Sequence, residues 1–405
     1  MSRDVYLLFT TRIIRLFCYG FLSIILAFYL TTIGLSEAQV GLLFTFTLAG
    51  DAGISLWLTT SADRFGRKRT LIVGALLMAG AGLGFLLTHN VVLLIVAAII
   101  GVISPSGNEI GPFLSVEQAS LSQLVSNEAR TNYFAWYNMV GYFATASGAG
   151  IGGWLAYTLQ NNGWSALSAY QVILSGYAVG GLLLMILFLL LSPDIEVQHK
   201  ASNEAKVILG LHKSRSVVMR LSALFALDAF AGGFVIQSLI AYWFHVRHGI
   251  NESIIGSIFF GANILAGVSA LLAVRIAKKI GLINTMVFTH IPSNILLILV
   301  PLMPNLPLAI TMLLLRFSIS QMDVPTRQSY TIAVVEPNER SAASGVTAIA
   351  RSIGAAISPS LAGLLFSVPI LLTWGAPLIL SGGLKIMYDL LVYREFRGVK
   401  PPEEK

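Results

Sequence analysis

A short polar stretch between two apolar runs reads Ala62, Asp63, Arg64, Phe65, Gly66, Arg67, Lys68 and Arg69. The runs on either side, 40–62 and 70–88, each approach the roughly 20 apolar residues that cross a bilayer core of about 30 Å. Gly66 permits a tight turn, the cations hold that turn on the cytoplasmic side, and Asp63 is placed to pair with a neighbouring helix. The stretch therefore predicts two membrane helices joined by a cytoplasmic turn.

The composition of the whole chain agrees with a membrane protein. Of its 405 residues, 56% are hydrophobic and only 11% are charged, and the mean hydropathy is +0.78. A soluble domain carries about 25% charged residues. The single cysteine, Cys18, excludes an intrachain disulfide framework and a cysteine-built metal site. The net charge of +7 forms no basic face or stripe, so we expect no nucleic-acid partner.

Twelve apolar runs predict an all-α polytopic membrane protein. They are 6–31, 40–62, 70–88, 91–124, 132–159, 168–191, 217–244, 254–277, 282–303, 306–335, 341–368 and 371–393. The longest polar connection, 193–216, predicts a cytoplasmic linker between an N-terminal six-helix bundle, 1–192, and a C-terminal one with a short tail, 217–405.

The distribution of lysine and arginine predicts the orientation in the membrane. Most of the 26 cations lie at the N-terminus, in even-numbered connections and in the tail, whereas the odd-numbered connections hold only Arg247. Cytoplasmic connections carry such an excess, so we expect both termini to be cytoplasmic. The first run is too long for a cleaved signal peptide and contains Arg12 and Arg15. We predict the inner (plasma) membrane of a prokaryote.

The two halves of the chain resemble each other. A shift of 215 residues aligns Gly41 with Gly256, Ala62 with Ala277, Gly66 with Gly281 and Thr70 with Thr285. A shift of 210 aligns Gln118 with Gln328, Arg130 with Arg340, Gly153 with Gly363 and Leu155 with Leu365. We attribute the change of five to a length difference between the third and fourth helices. A duplicated six-helix unit predicts two pseudo-symmetric halves around a central cavity and alternating access.

Residues 62–69 resemble the signature motif of the major facilitator superfamily (MFS). The family pattern usually begins with a glycine four residues before the acid, where this chain has Thr59, and the second-half equivalent, 277–281, lacks the acid. The resemblance implies the MFS fold, with twelve helices in two halves, and transport. It also assigns a gating role to Asp63, Arg64, Gly66, Arg67 and Arg69.

A second motif resembles the twelve-helix proton-coupled efflux antiporters of that family. The fifth helix contains Ala144, Gly148, Ala149, Gly150, Gly152 and Gly153, although Ala149 replaces the usual proline and Ala144 the first glycine. The eleventh helix repeats the pattern with Gly354, Ser358, Pro359, Ala362 and Gly363. Small residues also let ordinary membrane helices pack closely, so an exporter motif and simple packing both remain open.

Ten ionisable residues within the predicted spans are candidates for a functional role, because charges at that depth are costly and normally face a cavity or a partner. They are Arg12, Arg15, Asp51, Glu109, Glu117, Asp228, Arg316, Asp323, Arg327 and Arg351. The resemblance implies that the first, fourth, seventh and tenth helices line the cavity, which makes these residues candidates for substrate binding or proton coupling. Arg12 and Arg15 could instead snorkel to the interface, and Asp51 could act as a gating contact.

The 210-residue shift aligns Glu117 with Arg327, which predicts an ion pair or two ends of one substrate site. If these two do not meet, Asp323 is the expected partner of Arg327, one helical turn away. Pro325 between them predicts a local bend in the tenth helix. Glu109, Phe113 and Glu117 are expected on one stripe of the fourth helix, and Arg316, Ser320, Asp323 and Arg327 on one stripe of the tenth. The histidines, His290 included, are expected near helix ends at the interface.

These features predict a secondary active transporter of a small organic solute, working by proton-coupled efflux because buried carboxylates can exchange protons. The alternative is a proton-coupled uptake symporter for an organic anion or metabolite. A polytopic membrane enzyme is a remote third, because the sequence lacks HExxH, HxxxxD, DxD and GxSxG elements. We expect no cofactor, no metal and a monomer in the lipid bilayer, with the solute and protons as partners.

Overall fold

The computed structural model describes residues 3–196, 213–336 and 339–399, without the side chains of 60, 61, 63, 64, 127–131 and 341. All regular elements in this part of the chain are helical. The α-helices are α1 Arg3–Ser23, α2 Leu26–Thr32, α3 Glu37–Phe65, α4 Arg67–Leu87, α5 Val91–Ile100, α6 Phe113–Leu124, α7 Asn127–Asn161, α8 Ala166–Leu189, α9 Arg215–Gly233, α10 Gln237–His248, α11 Glu252–Ile280, α12 Leu282–Leu299, α13 Leu306–Phe317, α14 Asp323–Ala333, α15 Arg340–Phe366, α16 Pro369–Thr373 and α17 Ala376–Phe396.

The helices follow the predicted spans closely. Nine stretches of the described chain are long and apolar enough to cross a membrane, and they correspond to every predicted span except the fourth, fifth and tenth. The fifth span is α7, with 35 residues. Side chains cap several helix starts: Ser36 and Gln39 form a capping box on α3, and Asn90 accepts from the backbone of Val92 and Leu93 at the start of α5. The prediction of an all-α polytopic membrane protein is confirmed.

The fourth and tenth spans are not the continuous helices that the sequence predicts. Residues 101–112 separate α5 from α6, and 318–322 separate α13 from α14. In the first break, Gly107 and Gly111 have φ of +69° and +79°, which is incompatible with a right-handed helix. The polar stripes are therefore divided: Glu109 precedes α6, and Arg316 and Asp323 lie on different helices.

The bend expected at Pro325 lies just before it. Pro325 is the third residue of α14, and the first four N–H groups of a helix have no intrahelical acceptor in any case. Proline therefore costs no hydrogen bond at this position, and the helix restarts at Asp323 instead of breaking at Pro325.

Matching hydrogen bonds support the internal repeat. Gly66 N donates to Ala62 O and Gly281 N donates to Ala277 O, both at 2.9 Å. Both glycines have positive φ, +99° and +86°. Thr70 and Thr285 each donate through Oγ1 to the carbonyl of their glycine, at 3.0 and 2.7 Å. The turn between the second and third spans is thus the same local structure as that between the eighth and ninth.

The length difference between the repeats lies inside the fourth span. Asn90 caps α5 and Asn305 caps α13, a shift of 215, whereas α6 begins at Phe113 and α14 at Asp323, a shift of 210. The five additional residues therefore lie in the α5–α6 part of the first repeat, not before the fourth helix as expected. They lengthen the segment that carries Glu109.

The described residues divide into two compact units. The first unit holds those within Met1–Lys200 and Ile236–Gly261, and the second holds those within Ala201–Val235 and Ala262–Lys405. Helix α10 thus packs with the first unit. The division into two six-helix bundles at 193–216 stays a prediction.

Helix α1 packs closely against its neighbours in the first unit. A Cβ atom on Gly148 of α7 would lie 2.0 Å from the carbonyl oxygen of Phe17, and one on Gly152 would lie 2.5 Å from that of Phe21. On α8, a Cβ on Gly180 would lie 2.4 Å from Sγ of Cys18, which is buried. Glycine is required where backbones approach this closely.

Candidate functional site

A buried ion network connects α1 to the broken fourth span in the first unit. Arg12 Nη1 lies 2.7 Å from Glu109 Oε2, and Arg15 Nε lies 2.8 Å from Glu109 Oε1. Arg15 also holds Glu117 with both terminal nitrogens, at 2.8 and 2.6 Å. Arg15 and Glu117 are completely buried. We call these four residues the first-unit ion network; because its arginines are buried and paired with acids, they do not snorkel to the interface.

Neutral groups complete the surroundings of Glu117 and Arg12. Thr11 donates to Glu117 Oε1 at 3.0 Å, and the Tyr137 hydroxyl donates to Glu117 Oε2. Arg12 donates to the carbonyl oxygen of Tyr137 at 2.6 Å, and its guanidinium lies 4.2 Å from the centre of the Tyr137 ring. Thr11 and Tyr137 were not among the sequence candidates, because a hydroxyl within an apolar run carries no distinctive signal.

The backbone of the break 101–112 is satisfied by polar groups from the surrounding helices. Asp51 accepts from Gly111 N at 2.6 Å, and Tyr177 donates to the carbonyl of Val102 at 2.6 Å. Ser238 donates to the carbonyl of Pro105 through both N and Oγ, at 3.0 and 2.7 Å. Non-helical backbone at membrane depth is stable only when protein groups or water satisfy it. Asp51 therefore holds the break, whereas the gating contact proposed for it stays a prediction.

A second buried network lies in the second unit and connects three helices. Arg327 Nη1 of α14 lies 3.0 Å from Asp228 Oδ2 of α9 and 2.9 Å from Asp323 Oδ2. Lys385 Nζ of α17 lies 2.6 Å from Asp228 Oδ1. We call these four residues the second-unit ion network. Lys385 is on the last helix, outside the four that the family resemblance assigns to the cavity, and was missed.

A histidine–aspartate pair lies in the same unit and was also missed. His290 Nδ1 of α12 lies 2.8 Å from Asp389 Oδ1 of α17, and Asn294 Nδ2 donates to Asp389 Oδ2 at 3.2 Å. His290 is the ninth of the 18 residues of α12 and is buried, so its expected position at a helix end is wrong. The i,i+4 spacing of Lys385 and Asp389, and of His290 and Asn294, places each pair on one helix face and was the available signal.

Glu117 and Arg327 each have charged partners within their own unit. Both oxygens of Glu117 accept from Arg15, and Arg327 donates to Asp228 and Asp323. The expected Arg327–Asp323 pair, one turn apart, is present, whereas a substrate site shared by Glu117 and Arg327 stays a prediction. The aligned positions thus carry opposite charges, and each is neutralised within its own unit.

Two of the predicted arginines have no carboxylate partner among the described residues. Arg316, at the end of α13, has a buried Nε atom without a hydrogen-bond partner there, and its guanidinium lies 5.0 Å from the centre of the Phe317 ring. Arg351 is half-buried on α15. Asp228 and Asp323 act electrostatically on Arg351, and Asp323 acts on Arg316, but none of these three interactions is a salt bridge.

The turn at 62–69, which is predicted to gate transport, is bound by a carboxylate that lies outside this motif. Glu196 accepts from the backbone N–H of Arg67 at 2.7 Å and of Lys68 at 3.1 Å, which caps the start of α4. Arg67 Nη1 also donates to Gln123 Oε1 at 3.1 Å. Arg69 is exposed, and the side chains of Asp63 and Arg64 lie outside the described part. The acid that binds this turn in the described part of the chain is therefore Glu196. The pairing of Asp63 with a neighbouring helix stays a prediction.

The predicted packing glycines make two kinds of close contact. Gly148 and Gly152 face α1, whereas a Cβ on Gly153 would lie 2.2 Å from the carbonyl oxygen of Glu252 in α11. On α15, a Cβ on Gly354 would lie 2.2 Å from the carbonyl oxygen of Ala226 in α9. Pro359 is inside α15, and Gly363, also buried, accepts from Ser367.

Among the described residues, no group of three or more His, Cys, Asp and Glu could hold a metal.

Long apolar helices that bury paired charges are typical of integral membrane transport proteins, in which charges at membrane depth often mark the transport pathway. The comparison with known families agrees. The Major Facilitator Superfamily profile matches residues 8–359, so the chain belongs to that family. It is a membrane transporter for small solutes and not an enzyme. The efflux-antiporter subtype is not established by this match.

A relative from yeast matches almost the whole length of this chain. The uncharacterized membrane protein YJR124C of Saccharomyces cerevisiae is 32% identical, covering 98% of this chain and 95% of the relative. Because this relative is from yeast, it gives no support to a prokaryotic inner membrane.

Solved structures show the same fold at low sequence identity. A bacterial homolog of the human lysosomal transporter Spinster has a TM-score of 0.73 at 16% identity, with 97% of both chains covered. The nucleoside transporter NupG has a TM-score of 0.73 at 13% identity, covering 98% of this chain and 100% of its own. A D-xylose-proton symporter has a TM-score of 0.72 at 14% identity, covering 96% and 97%.

Proposed function

We propose that this protein is a proton-coupled secondary transporter that exports a small organic solute. The observation that carries the proposal is the pair of ion networks buried in membrane helices, one in each unit. A carboxylate released from its arginine can take up a proton, and re-formation of the ion pair expels it. Proton binding and pairing therefore exclude each other, which is the requirement for coupling a proton to a conformational change.

The direction of transport is proposed from the glycines of α7. Gly153 brings α7 against α11, and a Cβ on Gly256 of α11 would in turn lie 2.7 Å from the carbonyl oxygen of Ala149. The close approach of the fifth and eighth spans at this motif is what the resemblance to efflux antiporters implies. We therefore favour exchange of solute for protons over uptake.

Uptake of an organic anion together with protons is the second candidate. Arg316 and Arg351 favour it, because no carboxylate of the described chain forms a salt bridge with either. Arginine within a membrane normally has a counter-charge, and its planar fork suits carboxylate and phosphate. The fold neighbours include a D-xylose-proton symporter, so the fold itself is compatible with uptake.

In this proposal the protein is a monomer in the bilayer, and both of its termini are cytoplasmic. The excess of lysine and arginine at the termini and in the even-numbered connections supports this orientation. The cluster 67–69 at the start of α4 is the densest example.

The experiment is proton flux in sealed proteoliposomes that contain a trapped pH-sensitive dye. Ethidium, citrate, ferric citrate, uridine and D-xylose are added in turn as probes of organic cations, organic anions, metal chelates, nucleosides and sugars. Antiport moves protons opposite to the solute, and symport moves both in the same direction. Solute movement without any proton movement would overturn the coupling. Glu117→Gln is expected to abolish the proton signal, and His89→Gln, at an exposed loop, serves as the matched control.

A further inference from the structure

Asp389 is a buried carboxylate whose neutralisation depends on a proton. Its side chain is completely buried, and its described partners are His290 and Asn294. The nearby Lys385 pairs with Asp228, and Arg327 pairs with Asp228 and Asp323. Neither permanent cation of the second-unit ion network is bonded to Asp389. The counter-charge in contact with it is therefore the imidazolium of His290, which exists only when a proton is bound.

We propose that His290 and Asp389 form a reversible proton-binding site of the second unit, and that this site binds one of the protons used in transport, alongside the carboxylates of the ion networks. The second part rests on the proton-coupled function proposed above. With the proton absent, the neutral imidazole donates through Nδ1–H to Asp389 and leaves Nε2 as a free base. With the proton bound, the imidazolium and the carboxylate form an ion pair of zero net charge.

Two buried polar atoms without hydrogen-bond partners in the described chain lie near the His290–Asp389 pair. Ser293 Oγ and Asn294 Oδ1 are buried without a hydrogen-bond partner among the described residues. Both lie one turn from His290, on the same face of α12. They can accept hydrogen bonds from an incoming proton donor, whereas a purely structural pair has no need of additional acceptors.

The pair is adjacent to the second-unit ion network, which gives it a route to the rest of the unit. Asp389 and Lys385 are four residues apart on α17 and therefore share a face. Lys385 binds Asp228 of α9, and Asp228 binds Arg327 of α14. A change of charge at the pair acts directly on Lys385, so proton binding alters the contact that joins these three helices.

Charged and titratable groups lie on the helices around the pair. Lys385 on α17, Asp323 on α14 and Asp228 on α9 act electrostatically on it. Tyr388 on α17, Arg327 on α14, Arg316 on α13 and Arg351 on α15 also lie on these helices or on helices packed against them. The ring of Tyr388 meets that of His290 edge to face, with 6.1 Å between their centres. Of the three acids around the pair, Asp228 and Asp323 each contact an arginine or a lysine, whereas the contacts of Asp389 among the described residues are His290 and Asn294. The proton is therefore expected at this pair.

Proton binding can be measured without knowing the solute. Protein with ¹³C-labelled histidine is placed in lipid nanodiscs and its imidazole resonances are followed against pH. The resonance lost in His290→Gln is that of His290; it should titrate reversibly, and its titration should move in Asp389→Asn. A His290 resonance that does not titrate over the pH range in which the protein stays folded would overturn the proposal. His89→Gln should remove a different resonance and leave that of His290 unchanged.

Coupling is tested with whichever probe of the five moves protons in the wild type. In His290→Gln, flux driven by a pH gradient should fall by about ten-fold, within the range typical of coupling between sites, while exchange of solute for solute stays within about two-fold. Equal losses in both modes would show a structural role and contradict the proposal. Asp389→Asn, which keeps the shape of the side chain, serves as the second variant. If the wild type moves no protons with any probe, the transport function fails, and the titration still decides whether the site exists.

Discussion

At the scale of single residues, membrane depth makes the pairing of charges the dominant energetic factor. Arg15 is completely buried and holds two carboxylates, Glu109 and Glu117. A buried charge left without its partner is far less stable than either the pair or two neutral groups. The costs of removing two paired members of a network should therefore not add up.

We expect this non-additivity at Arg15 and Glu117. Arg15→Gln or Glu117→Gln alone should lower the free energy of unfolding by about 3 to 5 kcal/mol, because the other charge stays buried and uncompensated. The double variant should lose less than the sum. The measurement is unfolding in detergent for the four proteins of the cycle. Strictly additive losses would show that the two side chains do not interact.

The second-unit ion network allows a comparison of two acids around one arginine. Asp228 contacts both Arg327 and Lys385, whereas Asp323 contacts Arg327 in the same helix. Asp228→Asn should therefore destabilise the protein more than Asp323→Asn, because two buried cations lose a partner instead of one. Midpoints of thermal unfolding give the order. The reverse order would mean that Asp323, not Asp228, holds the network together.

At the scale of helices, Glu196 shows how a connection holds a helix start. Its carboxylate accepts from two N–H groups at the first turn of α4. Glu196→Gln should cost about 1 kcal/mol, through weaker capping and loss of a favourable charge at the helix N-terminus. Glu395→Gln is the matched control, because its ion pair with Arg220 is 3.2 Å long and exposed, and exposed pairs contribute about 0 to 1 kcal/mol. Equal effects of the two substitutions on unfolding would contradict a capping role.

Close packing of helices predicts opposite effects of one substitution at two glycines. In Gly153→Ala the new methyl group meets the backbone of Glu252, and overpacking of this kind typically costs about 1 to 3 kcal/mol. In Gly80→Ala, within α4, no atom outside the local backbone lies within 4 Å, so the better helix propensity of alanine should stabilise by about 0.5 to 1 kcal/mol. Unfolding measurements on both variants provide the test. Stabilisation by Gly153→Ala would mean that α7 and α11 are not in close contact.

The helices also show which features a sequence can predict. Long apolar runs and the glycine turns at 66 and 281 were predictable, because hydropathy and backbone requirements are local properties. The break at 101–112 was not, since its stability depends on Asp51, Tyr177 and Ser238 from other helices. The bend was predicted at Pro325 but lies just before it, because α14 begins at Asp323. A proline in the first turn of a helix does not break that helix.

At the scale of the whole molecule, the family and the fold followed from residues 62–69 and the repeat, and the charged candidates were found because charges are rare in apolar spans. Their partners were less accessible. Tyr137 becomes recognisable only when folding brings α7 to the arginines and acids. Lys385 and Asp389 had a signal in their i,i+4 spacing but lie on a helix that was not expected to line the cavity. His290 was assigned to a helix end although the predicted span 282–303 and α12 both begin at residue 282. The full set of residues in each ion network therefore depends on contacts between helices that are distant in the sequence.

The orientation in the membrane is testable with affinity tags at both ends of the chain. Both tags should be digested by protease added to inside-out vesicles, and both should be protected in right-side-out vesicles, because an even number of spans returns the chain to its starting side. Digestion of one tag only would require an odd number of spans.

The burial of Cys18 beneath Gly180 makes this chain convenient for site-directed labelling. Thiol reagents react with an exposed thiolate, and the Cys18 thiol on α1 is buried against Gly180 of α8. Since the chain has no other cysteine, spin labels or fluorophores can be attached at any introduced surface cysteine with the natural residue left in place.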